Sequence, residues 1–251
     1  MIQDLAGKVA IVTGGSDGIG KATATLLARR GAMVAICARR ADVLETARAE
    51  IAAVGAVESH ILDVSDEAAF TALIDDVAAR HGRLDMLVNN AMSVHYAPLT
   101  QLTMAHWRKD FAVNADAVFT GTKAAMKIMM KQGGGSIVNI ASTTAIRAAP
   151  YMASYSASKA ALIQFTACAA MEGGPANVRV NAIVPGQVMT PATADWARKA
   201  PDTAARTEGA IPMQRGGQLD ELAEPIVFLL SDAASYITGV ALPVDGGKAA
   251  Q

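Results

Sequence analysis

The stretch Val9-Ala10-Ile11-Val12-Thr13-Gly14-Gly15-Ser16-Asp17-Gly18-Ile19-Gly20 decides the fold. Its four apolar residues read as a strand covered on both faces, and they run directly into a glycine-rich loop. A helical pattern follows over residues 21–30. Glycines let the main chain turn tightly and approach a pyrophosphate, while free N–H groups at a helix start favour its negative charge. The spacing is Gly-x-x-x-Gly-x-Gly, which differs from the commonest dinucleotide fingerprint. Many turns hold a glycine cluster; its place between an opening strand and a helix gives this one weight. Gly14, Ser16, Asp17, Gly18, Ile19 and Gly20 are therefore candidate dinucleotide contacts.

Outward from this stretch the same rhythm repeats. Short apolar runs at 9–12, 33–37, 57–61, 84–88, 136–140, 178–183 and 240–244 alternate with helical patterns such as 21–30, 42–53 and 66–80. Seven buried strands joined through helices imply right-handed βαβ units. The expectation is one α/β domain over residues 1–251, a doubly wound, mostly parallel seven-stranded sheet with helices on both faces. Residues 103–131 and 151–171 read as two long helices. Gly133-Gly134-Gly135 reads as the turn into the next strand. The polar segment 191–216, with Pro201 and Pro212, breaks the rhythm just after a strand end. It reads as an irregular insertion and a substrate lid, against a passive surface excursion.

Composition narrows the function classes. The chain has 251 residues, 52% of them hydrophobic, and 22 basic against 23 acidic side chains, so nothing favours nucleic acid or an anionic membrane. No apolar run approaches the ~20 residues of a membrane span. Met1-Ile2-Gln3-Asp4-Leu5 carries no cationic start followed by an apolar run, so no secretory signal is expected. Two cysteines, Cys37 and Cys168, make a disulfide framework implausible and suit a reducing cytoplasm. His60, His81, His95 and His106 show no metal-ligand spacing, and no metal is expected.

Ligands of an open α/β sheet bind at the carboxyl ends of its strands. At the end of the second strand, where NAD enzymes usually place a carboxylate for the ribose hydroxyls, this chain has Ala38-Arg39-Arg40. A guanidinium there can hold a 2′-phosphate bidentately. The expectation is NADP(H) in preference to NAD(H). Two points weigh against it: both arginines could be a solvated helix start, and Asp17 lies where some NADP enzymes carry a basic residue. Asp63-Val64 follows the third strand and Asn89-Asn90-Ala91 the fourth. Asp63 could instead cap the next helix, and Asn89 could simply tie strands together.

Tyr155 and Lys159 lie four apart on a helical pattern and so share a face. Ser142 sits just past a strand end, and Asn114 within the earlier long helix. Reduction of a ketone puts negative charge on its oxygen, so a proton donor must lie within hydrogen-bond reach. A tyrosine has a pKa of about 10; a neighbouring ammonium favours its phenolate, which the reverse reaction needs. The Ser142 hydroxyl can hold the substrate oxygen. Asn114 could anchor water linking Lys159 to solvent.

Together, residues 13–20, Asn89-Asn90-Ala91, Asn114, Ser142, Tyr155-x-x-x-Lys159 and Pro185-Gly186 resemble the short-chain dehydrogenase/reductase family, in its single-domain branch, over nearly the whole chain. The resemblance implies a Rossmann-type fold and hydride transfer between a nicotinamide and a ketone or secondary alcohol. It gives Ser142, Tyr155 and Lys159 catalytic roles, with Asn114 completing the tetrad. It also places Lys159 and Tyr155 beside the nicotinamide ribose, Pro185, Gly186, Val188 and Thr190 around the nicotinamide, and Asp63, Val64, Asn90 and Ala91 along the rest of the dinucleotide. Family members often read Asn-Asn-Ala-Gly where this chain has Met92. That side chain narrows the crevice or forms a substrate wall. Further substrate candidates are His95, Tyr96, Thr144, Met152 and Met189, with Met213 also near the crevice. They suggest a small hydrophobic carbonyl or alcohol. By the same resemblance a homotetramer is expected, with a dimer next, built on the two long helices and the C-terminal strand. The alternatives are an NAD-dependent alcohol dehydrogenase of this family, a related isomerase or dehydratase, and a low-turnover regulatory dinucleotide-binding protein.

Overall fold

A computed structural model describes residues 4–251; Met1–Gln3, and with them part of the leader reading, lie outside the described residues. Along each strand, side chains alternate between faces. In β1 (Val9–Thr13), Ala10 and Val12 enter one core with Leu27, Ile36 and Ile226, while Val9 and Ile11 enter the other with Phe70, Ile74 and Met129. Both faces of the strand are thus apolar because both are covered.

The remaining strands are β2 (Met33–Ala38), β3 (Val57–Ile61), β4 (Met86–Asn89), β5 (Gly135–Ile140), β6 (Val178–Pro185) and β7 (Ala241–Val244). They form one sheet in the order β3-β2-β1-β4-β5-β6-β7, every pairing parallel. The connection direction reverses between β1 and β4, which opens a crevice at their carboxyl ends.

The helices are α1 (Gly18–Arg29), α2 (Ala41–Ala52), α3 (Glu67–His81), α4 (Met104–Phe111), α5 (Ala117–Gln132), α6 (Ala153–Gly173), α7 (Pro191–Lys199), α8 (Pro201–Gly209) and α9 (Leu219–Leu230). Three differ from the sequence expectation. The helix expected over 103–131 is interrupted by a π turn at Ala112–Asp116, which divides α4 from α5. The helix expected from residue 151 begins at Ala153, because Tyr151 is held at φ +65° and its carbonyl accepts from Ala97 N. The segment 191–216 is not irregular: α7 and α8 occupy most of it, each opened by a proline whose missing N–H costs nothing there. The glycine triplet does turn the chain, with Gly133 left-handed at the end of α5 and Gly135 opening β5.

Candidate active site

The loop after β1 is held by its own side chains. Asp17 caps α1, its Oδ1 accepting from Gly18 N at 2.7 Å. Gly14 has φ +64°, and a Cβ there would lie 2.8 Å from Asn90 Nδ2. Asn90 is turned into this loop, donating to the carbonyls of Thr13 (2.9 Å) and Gly14 (3.2 Å). Thr13 Oγ1 accepts from the main-chain N–H groups of Asn90 and Ala91. Asn90 therefore acts on the crevice by propping the glycine loop.

One crevice runs past Gly14, Ser16, Arg39, Arg40, Asp63 and Val64. Ala91 and Met92, the latter 53% exposed, are also among the residues that line it. Asp66, not Asp63, caps α3, through Ala69 N at 3.0 Å. Asp63 holds the N–H and hydroxyl of Ser65 and faces Arg39 at 3.8 Å. Burial pushes its carboxyl up, but the Ser65 bonds and the Arg39 charge bring it below its ordinary value. Asn89 does tie elements together: its Nδ2 donates to Asn139 Oδ1 on β5 and Thr122 Oγ1 on α5.

Beyond β6, Val188 bridges to Gly217, and Thr190 Oγ1 accepts from Thr193 N to cap α7. A Cβ on Gly18 would meet Thr190 Cγ2 at 3.3 Å, so this segment closes onto the glycine loop. Gly186 is pressed against Asp245, where a Cβ would come within 2.8 Å of its Cα. Between Gly186 and Val188, both amide atoms of Gln187 are buried without a partner. Open main chain at Gly14, two guanidinium groups and an unpaired amide together fit a bound dinucleotide.

Tyr155 and Lys159 lie one turn apart on α6, both buried, with Lys159 Nζ 5.9 Å from the centre of the Tyr155 ring. Lys159 Nζ donates to Ile140 O at 2.6 Å, reaching across to β5. Burial lowers this ammonium to about 7. Burial likewise pushes the phenol up to about 12; the Ser142 hydroxyl pulls it down, while Tyr96 and Asp110 add to the rise. The shift towards phenolate expected from Lys159 is thus not produced by these side chains alone. Thr144 orients Ser142, its N–H and hydroxyl both meeting Ser142 Oγ, at 3.2 and 3.1 Å.

Asn114 lies in the π turn and is fully buried. Its Nδ2 donates to Ser93 O and Ser158 Oγ, and its Oδ1 accepts from Ser93 N. Both of its N–H donors are committed to protein, so the side chain clamps a loop to α6 and keeps only an Oδ1 lone pair for water. His95 is also engaged, its Nδ1 lying 2.7 Å from Asp110 Oδ1 and its ring stacked on His106. Tyr96 is 70% exposed on the same loop. Met152 precedes the first turn of α6, and Met189 lies against Gly216. Asp110, Ser93, Ser154 and Ser158 escaped the sequence reading, because isolated polar residues in a loop or a helical pattern look like solvated positions. Among the described residues, no group of three or more His, Cys, Asp or Glu side chains is placed to hold a metal. No helix there is long and apolar enough to cross a membrane.

The family model described as enoyl-(acyl carrier protein) reductase matches residues 14–249. A 3-oxoacyl-[acyl-carrier-protein] reductase of Thermotoga maritima is 38% identical over 97% of this chain and 98% of its own. This chain belongs to the short-chain dehydrogenase/reductase family. Its sheet and helices are those of the family's Rossmann fold, and it is an oxidoreductase of CH–OH and C=O groups that uses a nicotinamide dinucleotide. A cyclopentanol dehydrogenase of Comamonas testosteroni is 38% identical, covering 97% of each chain. Among solved structures, a Beutenbergia cavernae chain provisionally assigned as an NAD(P)-dependent gluconate 5-dehydrogenase superposes with a TM-score of 0.94. It is 37% identical, covers 100% of both chains, and was solved with NADP at low occupancy.

Proposed function

We propose that this short-chain dehydrogenase/reductase is an NADP(H)-dependent enzyme of a small, hydrophobic cyclic or secondary alcohol–ketone pair, with Tyr155 as its general acid and base. The observation that carries the reading is the convergence of Tyr155 on α6, Lys159 one turn on, and Ser142 just past the end of β5. When bound, the nicotinamide gives or takes the hydride. Ser142 holds the substrate oxygen, and Tyr155 supplies the proton that oxygen needs as its negative charge develops. Lys159, anchored on Ile140 O one turn from Tyr155, would favour phenolate in the oxidative direction only together with the positive charge of an oxidised nicotinamide. Arg39 and Arg40, with no carboxylate at the end of β2, take a 2′-phosphate. Residues 4–251 act as one domain in which 191–216 is the substrate lid. Its base is held by Lys248 Nζ on Ala210 O and by Met213 N on Gly246 O. The protein works in the cytoplasm.

The test is a substrate panel followed at the nicotinamide absorbance with both cofactors. Cyclopentanol, a cyclic diketone, a hydroxycyclohexane carboxylate and a 3-oxoacyl thioester span what the relatives' names suggest. Turnover of the cyclic alcohol or diketone with NADP(H) is expected. Tight dinucleotide binding with no turnover of any member would point instead to a regulatory protein.

A further inference from the structure

Asp110 lies in α4, outside the residues assigned above to the chemistry, yet it is 0% exposed and carries four hydrogen bonds. Its Oδ1 accepts from Ser93 Oγ at 2.8 Å and lies 2.7 Å from His95 Nδ1. Its Oδ2 accepts from His95 N at 3.3 Å and from Ser154 Oγ at 2.5 Å. Burial pushes the carboxyl up, but the bonds from Ser154, His95 and Ser93 outweigh it and leave the group below its ordinary value. An ionised carboxylate only accepts, so His95 carries its proton on Nδ1.

These partners come from three places: Ser93 and His95 from the loop after β4, Asp110 from α4, and Ser154 from the first turn of α6, next to Tyr155. A second clamp lies beside the first. Asn114 joins Ser93 to Ser158, and Ser158 Oγ donates to Tyr155 O at 2.7 Å. Tyr155 is therefore flanked by anchored serines at 154 and 158.

We propose that Asp110 is a positioning residue for Tyr155: its buried carboxylate ties the loop after β4 to the first turn of α6 and places a fixed negative charge behind the phenol. The inference rests on the proposed role of Tyr155. Two consequences follow. The clamp holds the phenol in reach of a substrate oxygen, and the charge favours its protonated form, the form that donates during ketone reduction. The other groups bearing on the phenol are Lys159 on its own helix, Ser142 after β5, Tyr96 after β4, and His95 through Asp110. Arg147, in the loop between β5 and α6, is turned onto Ala249 O.

The test is the pH profile of cyclopentanol oxidation, or of whichever panel alcohol the parent oxidises fastest. Asp110→Asn keeps the shape and removes the charge. Its kcat is expected to fall by about ten- to a hundredfold through misplacement of the phenol. The midpoint of its rise with pH is expected to move to lower pH, while dinucleotide affinity holds. Asp76→Asn, which removes the same charge on the distant face of α3, should leave the midpoint in place. A midpoint that stays put or moves up in Asp110→Asn overturns the proposal. Should that variant fail to fold, Ser154→Ala should lower kcat with KM and dinucleotide affinity unchanged, and Ser154→Thr should restore it. Equal rates in the parent, Ser154→Ala and Ser154→Thr overturn it as well. Tyr155→Phe, run alongside, separates the readings: if it stays active, the role of Tyr155 fails; if it is inactive while the Asp110 profile is unmoved, only the present inference fails.

Discussion

On one face of α6, burial acts on two side chains in opposite directions, pushing the Tyr155 phenol up to about 12 and drawing the Lys159 ammonium down to about 7. At neutral pH the phenol of the protein alone is therefore protonated and ready to donate. Ketone reduction should stay near its maximum from about pH 6 to pH 8, since a group of pKa about 12 keeps its proton throughout that span. Alcohol oxidation needs the phenolate and should climb with pH; initial rates in both directions across that range check the sign. Replacing Tyr155 by Phe keeps the ring and removes the donor. Turnover should drop at least ~100-fold with dinucleotide affinity retained, measured by NADPH titration and steady-state kinetics. At the other end of the crevice, Arg39 is largely exposed with only a loose approach to Asp63. Arg39→Asp should raise the KM for NADP and lower that for NAD; unchanged values for both would remove the argument for a bound 2′-phosphate. The Tyr-x-x-x-Lys pair was legible because one helical turn sets its geometry. Asp110 was not, because its four partners come from residues 93, 95 and 154, a separation that no local spacing encodes.

At the scale of elements, the loop joining β1 to α1 works by the absence of side chains. A Cβ on Gly20 would lie 2.3 Å from Gly14 O and 2.4 Å from Asn90 Nδ2, well inside contact distance. Gly20→Ala should force the loop open and weaken dinucleotide binding about tenfold or more, in line with ~1–3 kcal/mol for overpacking. Fluorescence titration with NADPH would show it. The loop and its flanking strand and helix were legible because glycine, strand and cap signals are all local. The π turn was not: the pattern over 103–131 is helical throughout, and only the packing of Asn114 between Ser93 and Ser158 accompanies the extra residue in that turn. The two helices of 191–216 were missed for a related reason. Both are short and polar, with Ala204 their single buried side chain, so their apolar periodicity is faint.

Over the described residues, large apolar side chains remain exposed at many places. Among them are Phe119 and Met130 on α5, Met171 on α6, Phe228 on α9 and Tyr236 near edge strand β7. We propose a homotetramer: two self-complementary surfaces on one chain would close into a four-subunit assembly with dihedral symmetry. Light scattering on the purified protein at micromolar concentration should return about four chain masses, and a single-chain mass would exclude that assembly. By itself, the sequence determined what depends on near neighbours: the seven strands and their alternation with helices, the glycine loop, the arginines after β2, and the one-turn spacing of Tyr155 and Lys159. Only the tertiary structure decided what depends on burial and on partners far along the chain. It placed Lys159 on the Ile140 carbonyl, raised the phenol where a lowering was expected, turned Asn114 into a clamp, and enclosed Asp110 with its four donors. The reason is physical: periodicity records which face of an element meets the core, whereas proton affinity and hydrogen-bond pairing are set by the dielectric and donors that distant segments bring to the same point.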